Sequence, residues 1–340
     1  MKNRTPISLS LALFFVLPLF TSCDKGDDPP AESIKDPIVH LAGSSSEGGG
    51  NYRVTYWKNG IKTFLQPAEK NGSPYSILVN DGNVYIGGVD GTNNNGIVWK
   101  NATVLKEIDE IKPINRVLVN FSGSDLHLFY SVGDQFVHEK NNINQGTING
   151  YLIGSFVNGI DAFACGYKAD PNSYAYAVYW KNGVETQLTQ PVASEYSLAT
   201  SITTVNNDNY ISGFTDYSNV SLATDAVYWK NGSKTILPSD GDARAYKVFI
   251  SGNDVYVAGY SSETVGGVAH ATYWKNGEKF VLDNSSTTES YLFNIAVTKS
   301  GKVYALGSKG FASLWIDGKL DEEINGTKED YINYMFLEEN

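Results

Sequence analysis

The chain has 340 residues, of which 41% are hydrophobic, 13% are aromatic and 19% are charged. Its formal net charge of −11 argues against binding to nucleic acid or to anionic membrane surfaces, because both need a basic protein surface. The 22 tyrosines, 33 glycines and only two cysteines indicate an all-β extracellular domain without a disulfide framework.

The first 22 residues are predicted to be a secretory signal peptide. Lys2 and Arg4 form a basic start, and residues 7–20 form an apolar segment of 14 residues. This segment is too short to span a bilayer as a helix, which takes about 20 residues. No later segment approaches that length, so we expect the rest of the chain to lie outside the inner membrane.

The end of this segment resembles the signal sequence of bacterial lipoproteins. Thr21 and Ser22 place small residues before Cys23, the position at which lipoproteins receive diacylglycerol. Residues 24–28, Asp-Lys-Gly-Asp-Asp, are similar to the acidic export signal of Bacteroides-type surface lipoproteins. The resemblance implies lipidation of Cys23, a tether over residues 23–37 and a surface-exposed place on the outer membrane, held by the lipid alone. A plain secretory signal with an unrelated cysteine is the alternative.

A five-residue string recurs along the rest of the chain. Tyr-Trp-Lys-Asn-Gly stands at residues 56–60, 179–183, 228–232 and 273–277, with weaker copies at 98–102, 138–142 and 314–318. Successive copies lie 40 to 49 residues apart, a period typical of propeller blades. All six tryptophans occupy the second position of the string, where they are predicted to be core residues. In the third copy His138 and Glu139 replace Tyr and Trp, which predicts either a decayed blade or a notch in the rim.

Each repeat indicates four short antiparallel strands, named a to d from the inside outwards. A strand ending in Gly, such as residues 84–87, precedes the Trp strand, and the Asn-Gly after it is typical of a type I′ hairpin. The chain starts in a b-strand at Ile38 and ends in an a-strand over residues 331–340. We therefore predict an all-β, seven-bladed β-propeller of four-stranded blades over residues 38–340. The C-terminal strand joins the N-terminal blade and covers both open edges.

Well-known propeller families do not account for the repeat. The Trp-Asp and Gly-His dipeptides of WD-repeat propellers are absent, and the Gly-Gly pair of kelch blades occurs in place only at Gly87-Gly88. Tyr-Trp-Lys-Asn is similar to the Tyr-Trp-Thr-Asp of low-density-lipoprotein-receptor propellers but lacks the acidic residue. Over its whole length the chain resembles uncharacterised Bacteroides-type lipoprotein propellers, which implies the same fold and the same surface location.

Strand order places the a–b and c–d turns on one side of the ring, here called the hairpin face. The b–c and d–a connections lie on the other side, the loop face, and variable loops on a rigid scaffold usually carry function. Near the start of strand a, a tyrosine recurs at Tyr75, Tyr151, Tyr196, Tyr246, Tyr291 and Tyr331. These phenols are predicted either to stack on sugar rings at the channel mouth or to pack between blades.

Charged residues add two further hypotheses for the loop face. Arg53, Arg116 and Arg244 would grip a carboxylate or sulfate if they converge, and solvated surface positions are the alternative. An acid–base pair for glycoside cleavage would come from the acids of the d–a loops, namely Asp109, Glu110, Glu195, Asp240, Asp242, Glu289, Glu323 and Asp330.

No metal or other cofactor is predicted. The four histidines, His40, His127, His138 and His270, lack metal-ligand spacing. Asp90 begins a loop with a calcium-like composition that has no closing Glu. Cys165 lies in an apolar run and is predicted to be a small buried residue rather than a nucleophile.

Together these observations predict a monomeric, non-enzymatic binding module that takes a glycan or a peptide at the cell surface through its loop face. The preference for binding over catalysis follows from the lack of a catalytic constellation in the sequence. The alternatives are a carbohydrate-active enzyme, a hydrolase or lyase with its site at the channel mouth, and a structural subunit of a surface complex.

Overall fold

The computed structural model describes residues 36–48, 50–110, 113–171, 174–191, 195–217, 223–321 and 329–339. The predicted signal peptide, the lipidation site Cys23 and most of the tether lie outside these residues, as does Glu323. Residues 36–340 form one compact unit. None of the described residues belongs to a helix long and apolar enough to cross a membrane.

The described residues form seven four-stranded antiparallel sheets, which confirms the predicted seven-bladed propeller. From the inner to the outer strand, blade 1 contains β28 (Asp330–Glu338), β1 (Ile38–Ser45), β2 (Arg53–Lys58) and β3 (Ile61–Phe64). Blade 2 contains β4 (Gly72–Asn80), β5 (Asn83–Asp90), β6 (Asn95–Lys100) and β7 (Thr103–Ile108). Blade 3 contains β8 (Ile114–Ser122), β9 (Asp125–Val132), β10 (Gln135–Lys140) and β11 (Ile143–Asn149).

The remaining four blades repeat the same order of strands. Blade 4 contains β12 (Tyr151–Asn158), β13 (Asp161–Ala169), β14 (Ala175–Lys181) and β15 (Val184–Gln187). Blade 5 contains β16 (Glu195–Val205), β17 (Asp208–Tyr217), β18 (Thr224–Lys230) and β19 (Ser233–Ile236). Blade 6 contains β20 (Ala243–Ser251), β21 (Asp254–Ser261), β22 (His270–Lys275) and β23 (Glu278–Val281). Blade 7 contains β24 (Ser290–Val297), β25 (Val303–Lys309), β26 (Ala312–Ile316) and β27 (Lys319–Leu320).

The ring closes through the pairing of β28 with β1, as predicted. The two strands are antiparallel, with Val39 opposite Leu337 and Ser45 opposite Asp330. Lys62 of β3 reaches back to this junction and pairs with the Asp330 carboxylate at 2.7 Å. Because β28 supplies the missing inner strand of blade 1, β1 is not left as an open edge.

The repeated Asn-Gly pair forms the turn between strands c and d. At Asn59 and Gly60 the φ angles are +46° and +79°, as a type I′ turn requires. The Asn59 side-chain oxygen accepts a hydrogen bond from the Val39 backbone N–H at 2.8 Å. The equivalent bond is made in the other six blades by Asn101, Asn141, Asn182, Asn231, Asn276 and Asp317. The Asn of the string therefore ties the c–d turn to strand b.

The tryptophans are confirmed as core residues, and none is more than 4% exposed. Each one packs against the preceding blade in an apolar cluster that lies between two blades. Trp229 of blade 5, for example, lies in one cluster with Phe163 and Cys165 of blade 4. The string therefore stabilises the junctions of the ring as well as the individual blades.

Blade 3 has an ion pair where the other blades have Trp. Glu139 fills the slot, is 7% exposed and accepts a hydrogen bond from Lys106 of blade 2 at 2.5 Å. The neighbouring His138 lies 2.9 Å from a nitrogen of His127. Burial lowers the pKa of His138 to about 4, so its imidazole is neutral at physiological pH. All four strands of this blade are present, so the divergent string has not broken the blade.

Candidate functional site

A channel of about 1160 Å³ runs along the axis of the ring. Its wall is made by the seven inner strands, β4, β8, β12, β16, β20, β24 and β28. Tyr75 and Tyr246 lie in the parts of their strands nearest the loop face, whereas Asp81 and Glu339 lie at the hairpin end. The channel therefore connects the two faces and has a different chemical lining at each end.

Each inner strand carries a β-bulge in its loop-face half. In blade 6, for example, Tyr246 is the extra residue between the pairs Ala245–Gly259 and Lys247–Ala258. A bulge re-aims the side chain at its position, and one bulge residue from each blade lines the channel. In blade order these residues are Asn333, Tyr75, Arg116, Ile153, Thr200, Tyr246 and Phe293.

The same bulge explains the Gly near the end of strand b. A Cβ atom on Gly166, Gly259 or Gly307 would lie 1.8 Å from a carbonyl oxygen of strand a. Only Gly allows the two backbones to approach this closely. Blade 3 has Ser131 in this position, and its bulge places two residues opposite that serine.

Three of the predicted ligand-binding residues line the channel, namely Tyr75, Arg116 and Tyr246. The Arg116 guanidinium lies 4.8 Å from the centre of the Tyr75 ring and donates a hydrogen bond to the Ile153 carbonyl oxygen at 3.1 Å. Burial raises the pKa of Tyr246 to about 12. Burial also raises the pKa of Tyr334, a rise that the nearby Arg116 charge opposes. These phenols are therefore neutral hydrogen-bonding groups at physiological pH.

The other four predicted tyrosines lie outside the channel lining, on strands that start at the loop face. Tyr151 stacks on Tyr167 with ring centres 4.5 Å apart. Tyr196 is 38% exposed and Tyr331 is 58% exposed. Tyr291 donates a hydrogen bond to Glu289 at 2.6 Å. The tyrosine ring predicted from the sequence is thus divided between the channel wall and the surrounding face.

Ring contacts join most of these tyrosines into two groups, one on blades 4 and 5 and one on blades 6 and 7, which together we call the aromatic belt. Its members are Tyr151, Tyr167, Tyr196, Phe214, Tyr246, Tyr260, Tyr291 and Phe293, with neighbouring ring centres 4.5 to 6.4 Å apart. Between the two halves of the belt, the Arg244 guanidinium lies 4.5 Å from the centre of the Phe214 ring.

The three arginines do not converge on one point. Arg53 begins strand c of blade 1, two strands away from the axis, where it stacks 3.4 Å from the centre of the Phe64 ring and pairs with Glu47 at 2.7 Å. Arg244 lies in the belt, 3.9 Å from the Asp216 carboxylate. Of the three, only Arg116 lines the channel.

Sequence reasoning did not identify five residues of this region. Tyr167, Phe214 and Tyr260 each directly follow the Gly of strand b, so the Gly-aromatic dipeptide of three successive blades was an available signal. Phe293 and Lys247 line the channel because of the bulges. A single lysine in a β-strand is usually a solvated surface residue, so no feature of the sequence singles out Lys247. In the structure its side chain is partly buried, which lowers its pKa.

The acids proposed for glycoside cleavage do not line the channel in the described residues. Asp240 pairs with Lys279 at 2.6 Å, and Asp242 accepts a hydrogen bond from the Gly266 backbone N–H at 2.6 Å. Within the described lining, carboxylates occur only at the hairpin end, at Asp81, Glu338 and Glu339.

Cys165 is fully buried, and burial raises the pKa of its thiol to about 12, as expected for a core residue and not for a nucleophile. In the part of the chain that the structure describes, no group of three or more His, Cys, Asp or Glu side chains is placed to hold a metal ion. Asp90, the first residue of the calcium-like loop, pairs with Lys70 at 2.8 Å.

No protein-family model and no curated protein sequence matches this chain. Its fold is similar to the β-propeller domain of the trilobed protease from Pyrococcus furiosus, with 13% identity, a TM-score of 0.51 and coverage of 85% of this chain and 97% of that one. That domain is described as having an open velcro topology, whereas here β28 pairs with β1.

Two further solved structures are similar to this chain. The acylaminoacyl peptidase of Pyrococcus horikoshii is 13% identical with a TM-score of 0.52, over 85% of this chain and 52% of that one. A protein of unknown function from Bacteroides caccae is 11% identical with a TM-score of 0.42, over 89% of this chain and 99% of that one. At these identities the matches with TM-scores above 0.5 show that the chain has a β-propeller fold, and they show nothing about its ligand.

Proposed function

We propose that this protein is a non-enzymatic binding module for a glycan, which it takes at the loop-face mouth of the channel. The observation that carries the proposal is the aromatic belt, which lies on the side of that mouth formed by blades 4 to 7. Sugar rings have apolar faces that stack on aromatic side chains, and their hydroxyl groups pair with phenols. The belt supplies both kinds of contact on a rigid scaffold, which limits the entropy lost on binding.

The electrostatics of the mouth favour binding over catalysis. The described acids of the d–a loops are not part of the channel lining, so they do not flank a bond of a substrate in the channel. Tyr246 has its pKa raised to about 12, which opposes its use as a general base near neutral pH. A glycoside hydrolase or a lyase that uses such groups is therefore less well supported than a binder.

We also propose that the propeller is displayed on the outer membrane through a lipid on Cys23. The support is the Thr21-Ser22-Cys23 sequence after an apolar segment, together with the acidic residues that follow it. Cells that express the wild-type chain should incorporate labelled palmitate into the protein. External protease should then remove the protein from the surface of intact cells. A Cys23→Ala variant should show neither result; retention of the label in that variant would refute the anchor.

The binding proposal is tested by a glycan-array screen of the purified protein. The wild type is compared with a Tyr196→Ala, Tyr291→Ala double variant and with a matched hairpin-face control, Tyr228→Ala with Tyr273→Ala. We expect the wild type and the control to bind, and the loop-face variant to bind at least about tenfold more weakly, because two stacking contacts are lost. Thermal melts verify that both variants are folded.

Two results would overturn the proposal. The first is a wild type that binds no glycan, with or without binding to a peptide library, which would favour a protein partner. The second is the release of shorter products from a bound glycan, detected by mass spectrometry, which would favour the carbohydrate-active enzyme.

A further inference from the structure

Charge is distributed unevenly along the channel. Toward the loop face, the described lining contains Arg116 and Lys247 and no carboxylate. The three carboxylates of the described lining all lie at the hairpin end. This arrangement is unexpected in a chain with a net charge of −11, in which acidic residues outnumber basic ones by 37 to 26.

The acids at the hairpin end do not neutralise these cations. Glu338 lies 3.1 Å from an imidazole nitrogen of His40. Glu339 accepts a hydrogen bond from the Lys299 backbone N–H at 2.6 Å and lies 3.4 Å from the Lys299 side-chain nitrogen. These contacts keep two of the three carboxylates at the far end of the channel.

Arg116 and Lys247 have no carboxylate partner among the described residues. Arg116 donates a hydrogen bond to the Ile153 carbonyl oxygen, lies over the Tyr75 ring and interacts with the Tyr334 phenol. Lys247 makes no hydrogen bond or ion pair with a described residue, and burial lowers its pKa. The charges of both act on the buried Cys165 thiol of blade 4 and oppose the effect of its burial, so cations from blades 3 and 6 are both within electrostatic range of one point beside the channel. Partly buried cations without a carboxylate partner cost free energy that a bound anion would recover.

We propose that Arg116 and Lys247 together bind a carboxylate on the ligand, so that the glycan is an acidic, uronate-bearing chain. The inference rests on the proposed function, because the aromatic belt beside the cations holds the sugar rings. A guanidinium offers two parallel donors to a carboxylate, and an ammonium adds a third. The channel volume of about 1160 Å³ exceeds the range of about 300–1,000 Å³ of small-molecule sites, which suits the end of an oligosaccharide.

The experiment is calorimetric titration of the purified protein with an oligogalacturonate and with its methyl ester, in which a neutral ester group replaces each carboxylate. A sulfated oligosaccharide and its desulfated form make a second arm, because a sulfate presents similar anionic oxygens. We expect the oligogalacturonate to bind at least about tenfold more tightly than the ester. Its affinity should fall as salt is added, since ions screen the attraction.

Variants of the two cations test which side chains bind the carboxylate. Arg116→Gln and Lys247→Met are each expected to weaken oligogalacturonate binding by at least about tenfold, and Arg116→Lys to weaken it less, because the charge is kept. Lys299→Met is the matched control, since Lys299 lines the same channel at its hairpin end. This variant should bind oligogalacturonate with the affinity of the wild type. Melting curves identify any variant that fails to fold, and Arg116→Lys then carries the test.

Four other outcomes would contradict either the carboxylate site or the proposed function. Equal binding of the acid and the ester would refute the carboxylate site and leave the glycan-binding proposal standing. Binding of the sulfated form alone would refute the uronate as the ligand. An acidic peptide is titrated in parallel, and its binding without binding of any glycan would refute the proposed function itself. No binding in either oligosaccharide arm would refute the inference.

Discussion

The two faces of the ring differ in how strictly they constrain the sequence. On the hairpin face, all seven c–d turns use the same pair of positive φ angles and the same side-chain bond to strand b. On the loop face, the bulge geometry is shared while its residue varies among Asn, Tyr, Arg, Ile, Thr and Phe. A constant backbone with variable side chains lets the channel lining change without disturbing the ring.

The largest loss of stability is expected from the buried tryptophans that the string places between blades. Trp229→Ala removes a fully buried side chain from the junction of blades 4 and 5. We expect the free energy of unfolding in urea to fall by about 3–5 kcal/mol. Tyr196→Ala in the same blade is the control, because the side chain is 38% exposed. Equal losses for the two variants would contradict the assignment of Trp229 to the core and of Tyr196 to the surface.

The bulge itself is tested by Gly259→Ala. The added Cβ would lie 1.8 Å from the Arg244 carbonyl oxygen, so the strands must separate. We expect a loss of at least about 2 kcal/mol in urea unfolding. Gly91→Ala is the matched control, because the nearest atom to its Cβ would be at 3.4 Å. A Gly259→Ala protein as stable as this control would show that the close approach is not required.

The hairpin-face bond is tested at Asn59. Asn59→Ala loses the hydrogen bond to Val39 and places Ala at a positive φ, which we expect to cost about 1–2 kcal/mol. Asn59→Asp keeps the acceptor oxygen, as Asp317 does naturally in blade 7. Urea unfolding should therefore show a smaller loss for Asp than for Ala; the reverse order would mean that the side-chain bond contributes little.

Acid should destabilise the protein through blade 3. Burial holds the pKa of His138 at about 4, whereas in the unfolded chain it is about 6.5. The unfolded state therefore binds the proton first, and stability falls as the pH drops below 6.5 towards 4. After allowance for solvent screening, we expect His138 to contribute about 1 kcal/mol of this loss between pH 7 and pH 5.

His138→Leu tests this contribution, because Leu314 occupies the same position of the string in blade 7. The variant should lose less stability than the wild type when thermal melts at pH 7 and pH 5 are compared. An unchanged difference between the two pH values would assign the acid sensitivity to other groups, such as His40 and His127, whose pKa values burial also lowers.

The smallest effect on stability is expected on the loop face, where Tyr196→Ala with Tyr291→Ala should cost less than about 1 kcal/mol per residue. Neither side chain is fully buried. The same variant should give the largest loss of glycan binding. A large loss of stability with unchanged binding would reassign these tyrosines to packing, the alternative reading of their spacing.

The fold was predictable because the residues that each blade requires recur in every repeat of the sequence. The Trp slot, the Asn-Gly turn and the unpaired strands at the two ends determine the number of blades and the closure of the ring. The site was less predictable, because strand alternation fails at a bulge. Tyr75 and Tyr246 are bulge residues, whereas Tyr151, Tyr291 and Tyr331 lie two residues before one. Regular spacing alone therefore could not separate channel-lining tyrosines from those outside it.

The position of Lys247 in the channel lining could not be predicted from the sequence either. Lys247 follows the bulge residue Tyr246. Whether an acidic side chain lies beside it depends on residues of the other six blades, which the sequence around Lys247 does not show. Arg53 shows the converse error, because proximity of its segment to the loop face did not bring its side chain to the axis.

The most direct test of the account is hydrogen–deuterium exchange of the wild-type protein with and without a glycan selected on the array. Ligand at the loop-face mouth should slow exchange in the first halves of the inner strands, at residues 243–247 and 290–294. The a–b turns on the hairpin face, such as residues 251–254, should be unaffected. Protection confined to those turns or to the outer strands would contradict the central claim that the loop face carries the site.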